Sequence, residues 1–178
     1  MDTYATTNRG ACHNGSQAHG YEMSKVQPEL GISEPQDRHQ VEGKAEFTIK
    51  LQNLMCMFDA LVLCKFMDSG GAVKVRSMID FLNYVTGWKM NIEEFMKTEE
   101  RIFNLQRLYN VRCGISRKDD FLPARFFTLK RNKDKLPPLG QLLGDYYKYR
   151  GWGEDGIPLP TKLGDLGLQE RYNGNMER

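Results

Sequence analysis

The sequence predicts an all-α protein, built as an irregular bundle of about five helices. Apolar residues recur at the i, i+4, i+7 spacing of a buried helix face, and no strand-like alternation is sustained. Glycines and prolines fall between these stretches, where they end helices. With 178 residues and 40% hydrophobic content, the chain can fold as one domain or two small lobes.

Residues 1–42 are predicted to form a loop-rich segment, because Gly, Asn, Ser and Thr are dense there and two prolines interrupt residues 27–36. Arg9, Cys12 and His13 lie close together in this segment. A guanidinium can bind an anion, and an imidazole can transfer a proton. The residues alone leave two interpretations open, a site or a frayed terminus.

A helical domain is predicted over residues 43–170. Its first helix follows Gly43 and delivers Asp59 and Cys64, with Gly70 and the next glycine as its stop. Its apolar positions follow helical spacing: Phe47, Leu51, Leu54, Met55, Phe58, Leu61 and Val62. Cys56 adds to the apolar side and is expected to pack in the core.

Two further helices follow in order. The second is predicted over residues 72–85 and is ended by Gly87. The third begins at Asn91, where Glu94 completes a capping box, and Gly114 ends it.

The last third of the chain contains a charged connector, two helices and a tail. Within residues 116–125, two Arg and two Asp form either a catalytic acid-base pair or, as we favour, an ion-paired, helix-capping loop. A fourth helix follows the prolines at 137–138, and Thr161 is expected to cap a short fifth helix that ends at Leu166. Residues 171–178 are predicted to fray.

The stretch from Asp59 to Cys64 is the strongest candidate for chemistry. If the helix continues, five residues turn the two side chains through roughly 500° and they point in different directions. If it unwinds near Cys64, a hydrogen-bond acceptor and a soft ligand could flank one bound group. An idle carboxylate in an apolar setting is costly. From the residues alone, a cofactor site and a buried thiol beside a surface acid both remain open.

Composition disfavours several other functions. A net charge of +2 without an aromatic-basic stripe argues against nucleic-acid binding. No apolar run approaches the roughly 20 residues that span a bilayer, and the N-terminus lacks the features of a signal peptide. We therefore expect a cytoplasmic protein with reduced cysteines. The four cysteines are scattered without a Cys-x-x-Cys pair, which argues against a self-contained zinc site.

Four blocks of sequence occur in one order that is characteristic of a known family. They are NRGACH at 8–13, DALVLC at 59–64, RIFNLQRLYNVRCGISRKDDFLP at 101–123 and DYYKYRGWGEDGIP at 145–158. Together they resemble the C-terminal part of the aldehyde ferredoxin oxidoreductases, which are tungsten-pterin enzymes. The resemblance covers nearly the whole chain and implies the C-terminal helical domains of that family.

The resemblance also implies a chemistry. In the family, a tungsten ion held by two pterins lies beside a [4Fe-4S] cluster, aldehydes are oxidised to carboxylic acids, and electrons pass to ferredoxin. The pattern Asp-x-x-Gly-Leu-Cys carries a pterin contact over to Asp59, a cofactor-binding position to Leu63 and a cluster ligand to Cys64; Val62 stands where the family has Gly. His13 is similar to the family's active-site histidine, which exchanges a proton with the substrate.

Three further cluster cysteines, in a Cys-x-x-Cys-x-x-x-Cys pattern, lie upstream in the family and are not in this sequence. The resemblance therefore implies that this chain alone binds no cofactor and is inactive, and that its partner is the N-terminal region of the same enzyme. It distinguishes neither tungsten from molybdenum nor one aldehyde from another, and it leaves a homo-oligomer open. The alternative is a cofactor-free helical interaction module, or a partner subunit of a split enzyme.

Overall fold

The computed structural model describes residues 2–69, 73–130 and 136–169. In these ranges the chain is all-α, as predicted, and its only β pairing is two isolated bridges. The helices are α1 (Asp2–Thr6), α2 (Ala18–Met23), α3 (Lys44–Ala60), α4 (Phe66–Ser69), α5 (Val75–Thr86), α6 (Ile92–Arg112), α7 (Arg125–Thr128), α8 (Leu139–Arg150) and α9 (Pro160–Asp165). Four of them, α3, α5, α6 and α8, are long, and they correspond to the first four predicted helices.

The central helix of the fold is α3, which packs against α1, α6 and α8. It is buried on nearly all sides, because apolar clusters form on two of its faces. One cluster includes Phe103, Tyr146 and Trp152, and the other includes Phe58 and Phe95. This packing fixes the C-terminal end of α3, where the candidate site begins.

Several predicted helix ends are confirmed, and two are wrong. Helix α3 ends at Ala60 rather than at Gly70, so Leu61 and Val62 lie beyond the buried helix face that was expected to include them. The Glu94 backbone N–H donates to Asn91 Oδ1 at 2.9 Å, and the Asn91 N–H donates to Glu94 Oε2 at 3.2 Å, so the predicted capping box is present. Gly87 ends α5 with φ +74°. The last helix, however, begins at Pro160 rather than after a Thr161 cap. Proline fixes the φ angle that a first helical residue needs.

Two short helices, α1 and α2, interrupt the segment that was predicted to be loop. Within α1, Thr6 is fully buried and its hydroxyl accepts from Gln52 Nε2 of α3 at 3.0 Å. The interpretation of a frayed terminus is therefore wrong for residues 2–6. The division of the chain at residue 42 stays a prediction, and the predicted frayed tail lies outside the described residues.

The charged connector after α6 is held by ion pairing and capping, as favoured. Asp120 is buried and accepts two hydrogen bonds from the Arg107 guanidinium of α6, at 2.9 and 2.7 Å. The Asp119 carboxylate accepts from the Ser116 backbone N–H at 2.9 Å and caps a 3₁₀ turn. Both acids therefore have structural partners.

The C-terminal end of α8 places a second arginine in the core. Arg150 is fully buried and donates to the side-chain oxygens of Gln52, at 3.0 Å, and Asn53, at 2.6 Å, both on α3. Its guanidinium also lies 3.8 Å from the centroid of the Phe103 ring. These contacts join α3, α6 and α8 around one cation.

None of the helices in the described ranges combines the length and the apolar composition that a membrane span requires.

Candidate functional site

Helix α3 ends before it reaches Cys64. The Leu63 N–H donates to Phe58 O at 2.8 Å and the Val62 N–H donates to Asp59 O at 3.2 Å, which is the hydrogen-bond pattern of a Schellman motif. The helix therefore unwinds between Asp59 and Cys64, as the second of the two alternatives required. Cys64 lies after the turn with an exposed, free thiol.

Val62 occupies the turn position at which a left-handed residue is needed. Its φ is +57°, and its side chain is 90% exposed. Glycine adopts this conformation freely, whereas an L-residue loses roughly 1–2 kcal/mol there. The geometry gives a physical reason for the glycine of the Asp-x-x-Gly-Leu-Cys pattern. This chain keeps the turn with a strained, β-branched residue.

Replacing Val62 by glycine is expected to raise the free energy of unfolding by about 1 kcal/mol, since it removes backbone strain and uncovers no core. Denaturant unfolding followed by circular dichroism measures the change. The control is Val85→Gly on α5, where the valine is also 85% exposed but has a helical backbone. That substitution is expected to cost roughly 0.5 kcal/mol. Equal signs for the two variants would contradict the expectation.

Two cations surround the Asp59 carboxylate. Lys65 Nζ lies 2.8 Å from Asp59 Oδ2, and an Arg9 guanidinium nitrogen lies 3.5 Å from the same oxygen. The Asp59 side chain is 46% exposed, whereas that of Lys65 is only 12% exposed. Lys65 also donates to the backbone oxygen of Asn14 at 2.9 Å. One lysine thus connects the end of α3 to the N-terminal loop.

His13 begins the 3₁₀ turn His13–Gly15, directly before the carbonyl that Lys65 binds. The turn lies tightly against the chain just after α1, because a Cβ on Gly15 would be 2.6 Å from a methyl carbon of Thr7, the residue that follows the helix. The His13 side chain is exposed and makes an edge-to-face contact with His19, with ring centroids 5.7 Å apart. The predicted residues His13, Asp59 and Cys64 are therefore all exposed. Lys65 links the turn that begins at His13 to the carboxylate of Asp59.

A cleft of about 400 Å³ opens beside Asp59. Its lining comes from the N-terminal loop, α3 and α6: Thr7, Asn8, Arg9, Gly15, Gln52, Cys56, Asp59, Phe103, Leu105, Gln106, Tyr109 and Asn110. Asn8 Oδ1 is buried there without a hydrogen-bond partner among the described residues, while its Nδ2 donates to Phe103 O at 2.8 Å. A ligand that brings an N–H or O–H group into the cleft would satisfy that oxygen.

The four cysteines differ in their surroundings. Burial raises the pKa of the Cys56 thiol to about 11, so it stays protonated at neutral pH and packs in the core as expected. Cys64 and Cys113 are exposed. No three His, Cys, Asp or Glu side chains converge on a metal position anywhere in the described ranges.

The sequence did not point to Lys65, Asn8 or Arg107. Lys65 lies six residues from Asp59 across a helix end, and no periodic pattern pairs those positions. The two others make contacts to segments that are distant in sequence. Asn8 donates to a backbone oxygen of α6, and Arg107 donates to Gly156 O at 2.8 Å.

A family model and the most similar sequences point to the same protein family. Residues 2–168 match the family model for aldehyde ferredoxin oxidoreductase, domains 2 & 3. The chain is 38% identical to the tungsten-containing aldehyde ferredoxin oxidoreductase of Pyrococcus furiosus, over 95% of this chain and 28% of that protein. The Thermococcus kodakarensis protein of the same name is 37% identical, over 94% of this chain and 27% of its own length.

A solved structure shares the fold. The active site complex BamBC of benzoyl coenzyme A reductase, in complex with 1,5-dienoyl-CoA, superposes with a TM-score of 0.65 and 26% identity. The match covers 81% of this chain and 22% of that chain. Against the two sequence relatives above, the chain spans little more than a quarter of the full length.

Proposed function

Because the chain belongs to the aldehyde ferredoxin oxidoreductase family, we propose that it is the C-terminal helical part of a tungsten-pterin enzyme. That enzyme oxidises aldehydes to carboxylic acids and passes the electrons to ferredoxin. The observation that carries the proposal is the position of Cys64, exposed just beyond the turn that ends α3 at Asp59. A group held outside this chain can reach an open thiol. A thiol sealed inside the bundle would have opposed the proposal.

Cys64 is the residue that would bind the [4Fe-4S] cluster. Thiolate is the usual protein ligand of such a cluster, and four are needed. The described part of the chain offers Cys64 without three partners, so the donor set fits a shared site rather than a complete one. The three other thiolates would come from the N-terminal region of the enzyme. The cluster would carry single electrons towards ferredoxin.

Asp59 is the residue that would bind the pterin. A carboxylate accepts hydrogen bonds from ring and amino N–H groups, and this one lines an open cleft beside an Asn8 oxygen that has no hydrogen-bond partner in the described ranges. Leu63 packs its side chain against the apolar cluster and donates its N–H to Phe58 O. Its contribution to the cofactor would therefore come through its carbonyl oxygen.

His13 is the residue that would move a proton. Its imidazole is exposed on the turn that Lys65 connects to Asp59. Tungsten or molybdenum held by pterins would supply the oxygen transfer and take two electrons. The imidazole would hold or accept a proton at a ring nitrogen beside the aldehyde.

Iron and tungsten analysis of the purified chain is expected to show substoichiometric metal, and aldehyde oxidation is expected to be absent. Joined to an N-terminal region that carries the Cys-x-x-Cys-x-x-x-Cys pattern, the chain should form a complete cluster, visible by absorption and paramagnetic resonance. Cys64→Ser should abolish most of that signal, whereas Cys113→Ser, at another exposed cysteine, should leave it intact. A full cluster on the isolated chain, or on the Cys64→Ser complex, would contradict the proposal.

A second function, a helical interaction module or partner subunit, is favoured by the outer face of α5. Three large apolar side chains at i, i+3 and i+4 spacing are 67–85% exposed there, those of Phe81, Tyr84 and Val85, and Trp88, just beyond the end of the helix, is 57% exposed. Exposed stripes of this kind mark interaction surfaces. Measurements on the complex with the N-terminal region distinguish the two functions. Stable binding to the N-terminal region without iron or tungsten would favour the interaction module.

A further inference from the structure

Lys65 connects the Asp59 end of α3 with the turn that begins at His13. Its ammonium donates to Asp59 Oδ2 at 2.8 Å and to Asn14 O at 2.9 Å, two acceptors that are 45 residues apart in the chain. The side chain is 88% buried, so the ammonium is held between these oxygens rather than solvated. Its position follows from the Schellman turn, which reverses the chain after α3 and returns residue 65 to the helix end.

The turn that carries His13 is fixed from two sides. On the α1 side, the Thr3 and Ser16 hydroxyls are hydrogen-bonded at 2.6 Å. On the α3 side, the Asn14 carbonyl is bound by Lys65. The carbonyl of His13 itself accepts from the Gln17 N–H at 2.8 Å, which closes the turn. Release of Asn14 would remove the hydrogen bond that ties this turn to the Asp59 end of α3.

We propose that Lys65 is a positioning residue, which holds the His13 turn against the Asp59 end of α3. This inference rests on the proposed function only for the use of His13, because the contacts themselves belong to this chain. The Asp59 side of this ion pair is 46% exposed, so solvent screens the pair and it contributes little to stability. Loss of the lysine should therefore displace the turn without unfolding the domain.

The experiment compares Lys65→Met with Lys50→Met by NMR. Lys50 lies on α3 and, like Lys65, binds a carboxylate, that of Glu46 at 2.9 Å, but it is away from the His13 turn. Ring resonances of the three histidines, assigned by single His→Gln variants, report on the position of each imidazole. Lys65→Met is expected to shift the signals of His13 and of its neighbour His19 and to leave those of His39 unchanged.

Amide hydrogen exchange gives a second measurement. Exchange of the Gln17 N–H is expected to accelerate at least about tenfold in Lys65→Met, because the turn it closes then lacks the hydrogen bond from Lys65. Lys65→Arg, which keeps the charge and the donors, is expected to retain most of the protection. Lys50→Met should change neither the His13 signals nor the Gln17 exchange.

Three outcomes would overturn the inference: unchanged His13 signals and Gln17 exchange in Lys65→Met, equal changes in Lys50→Met, or a Lys65→Met chain that does not fold. The last would make the lysine a determinant of the whole fold. None of these measurements needs a bound cluster or pterin. The inference about Lys65 and the proposed function can therefore fail independently.

Discussion

Replacement of Asp120 by asparagine is expected to lower the free energy of unfolding by about 3–5 kcal/mol. The carboxylate forms a bidentate pair with Arg107, and both side chains are at least 95% buried. Tyr147 also donates its hydroxyl to Asp120 Oδ2 at 2.5 Å, and Arg107 stacks over Trp152 at 4.7 Å. Asparagine keeps the shape, but it leaves the guanidinium as an uncompensated buried charge and turns an N–H group towards a donor.

Urea unfolding followed by circular dichroism measures this loss, with Asp119→Asn as the matched control. Asp119 is the neighbouring acid, but it is exposed and its main role is to cap the Ser116 turn. Loss of a cap costs about 1 kcal/mol. If Asp120→Asn lowered the free energy of unfolding no more than Asp119→Asn, the buried Arg107–Asp120 pair would not be what stabilises the connector against α6.

The part of the fold that sequence could predict is the part set by local pattern. The apolar faces of α3 and α5 recur at helical spacing, and the capping box at Asn91 needs only residues three apart. A glycine at position 87 ends a helix by its own conformational freedom. Each of these features is determined within about one or two turns of chain.

The remaining features depend on distant residues. Helix α1 has only five residues, too short to be stable alone, and it persists because α3 buries it. Arg150 reaches Asn53 across 97 positions. The turn at Val62 has a residue that disfavours its conformation, so composition gives no sign of it. For the candidate site, the family resemblance predicts His13, Asp59 and Cys64, whose roles stay predictions, and the lysine that connects the segments of the first two is visible only in the fold.

Glu99→Met is expected to raise the free energy of unfolding by about 1–3 kcal/mol at neutral pH. Glu99 lies on α6 one turn from Phe95 and one turn from Phe103, between the two large apolar clusters. Its side chain is fully buried, and neither carboxyl oxygen has a hydrogen-bond partner among the described residues. Methionine fills a similar volume without a polar group to desolvate.

The pH dependence of stability distinguishes the effect of the Glu99 carboxyl group from an effect of packing. Burial raises the pKa of Glu99 well above its ordinary value of 4.5, so the folded chain holds a proton that the unfolded chain releases above that pH. The contribution of the Glu99 proton to the free energy of unfolding is fully present below pH 4.5. That contribution is lost as pH rises towards the pKa of Glu99 in the folded chain, by up to about 1.4 kcal/mol per pH unit.

Unfolding curves between pH 4 and pH 8 should therefore show a smaller decline with pH for Glu99→Met than for the natural chain. Asp2, whose pKa burial also raises, contributes a decline of the same sign to both proteins. Glu100→Met is the control, since that acid is ion-paired with Lys162 at 2.9 Å and its loss should be neutral or slightly destabilising. A Glu99→Met chain that is less stable at neutral pH, with an unchanged decline, would mean that the carboxylate is ionised and paired in the folded protein.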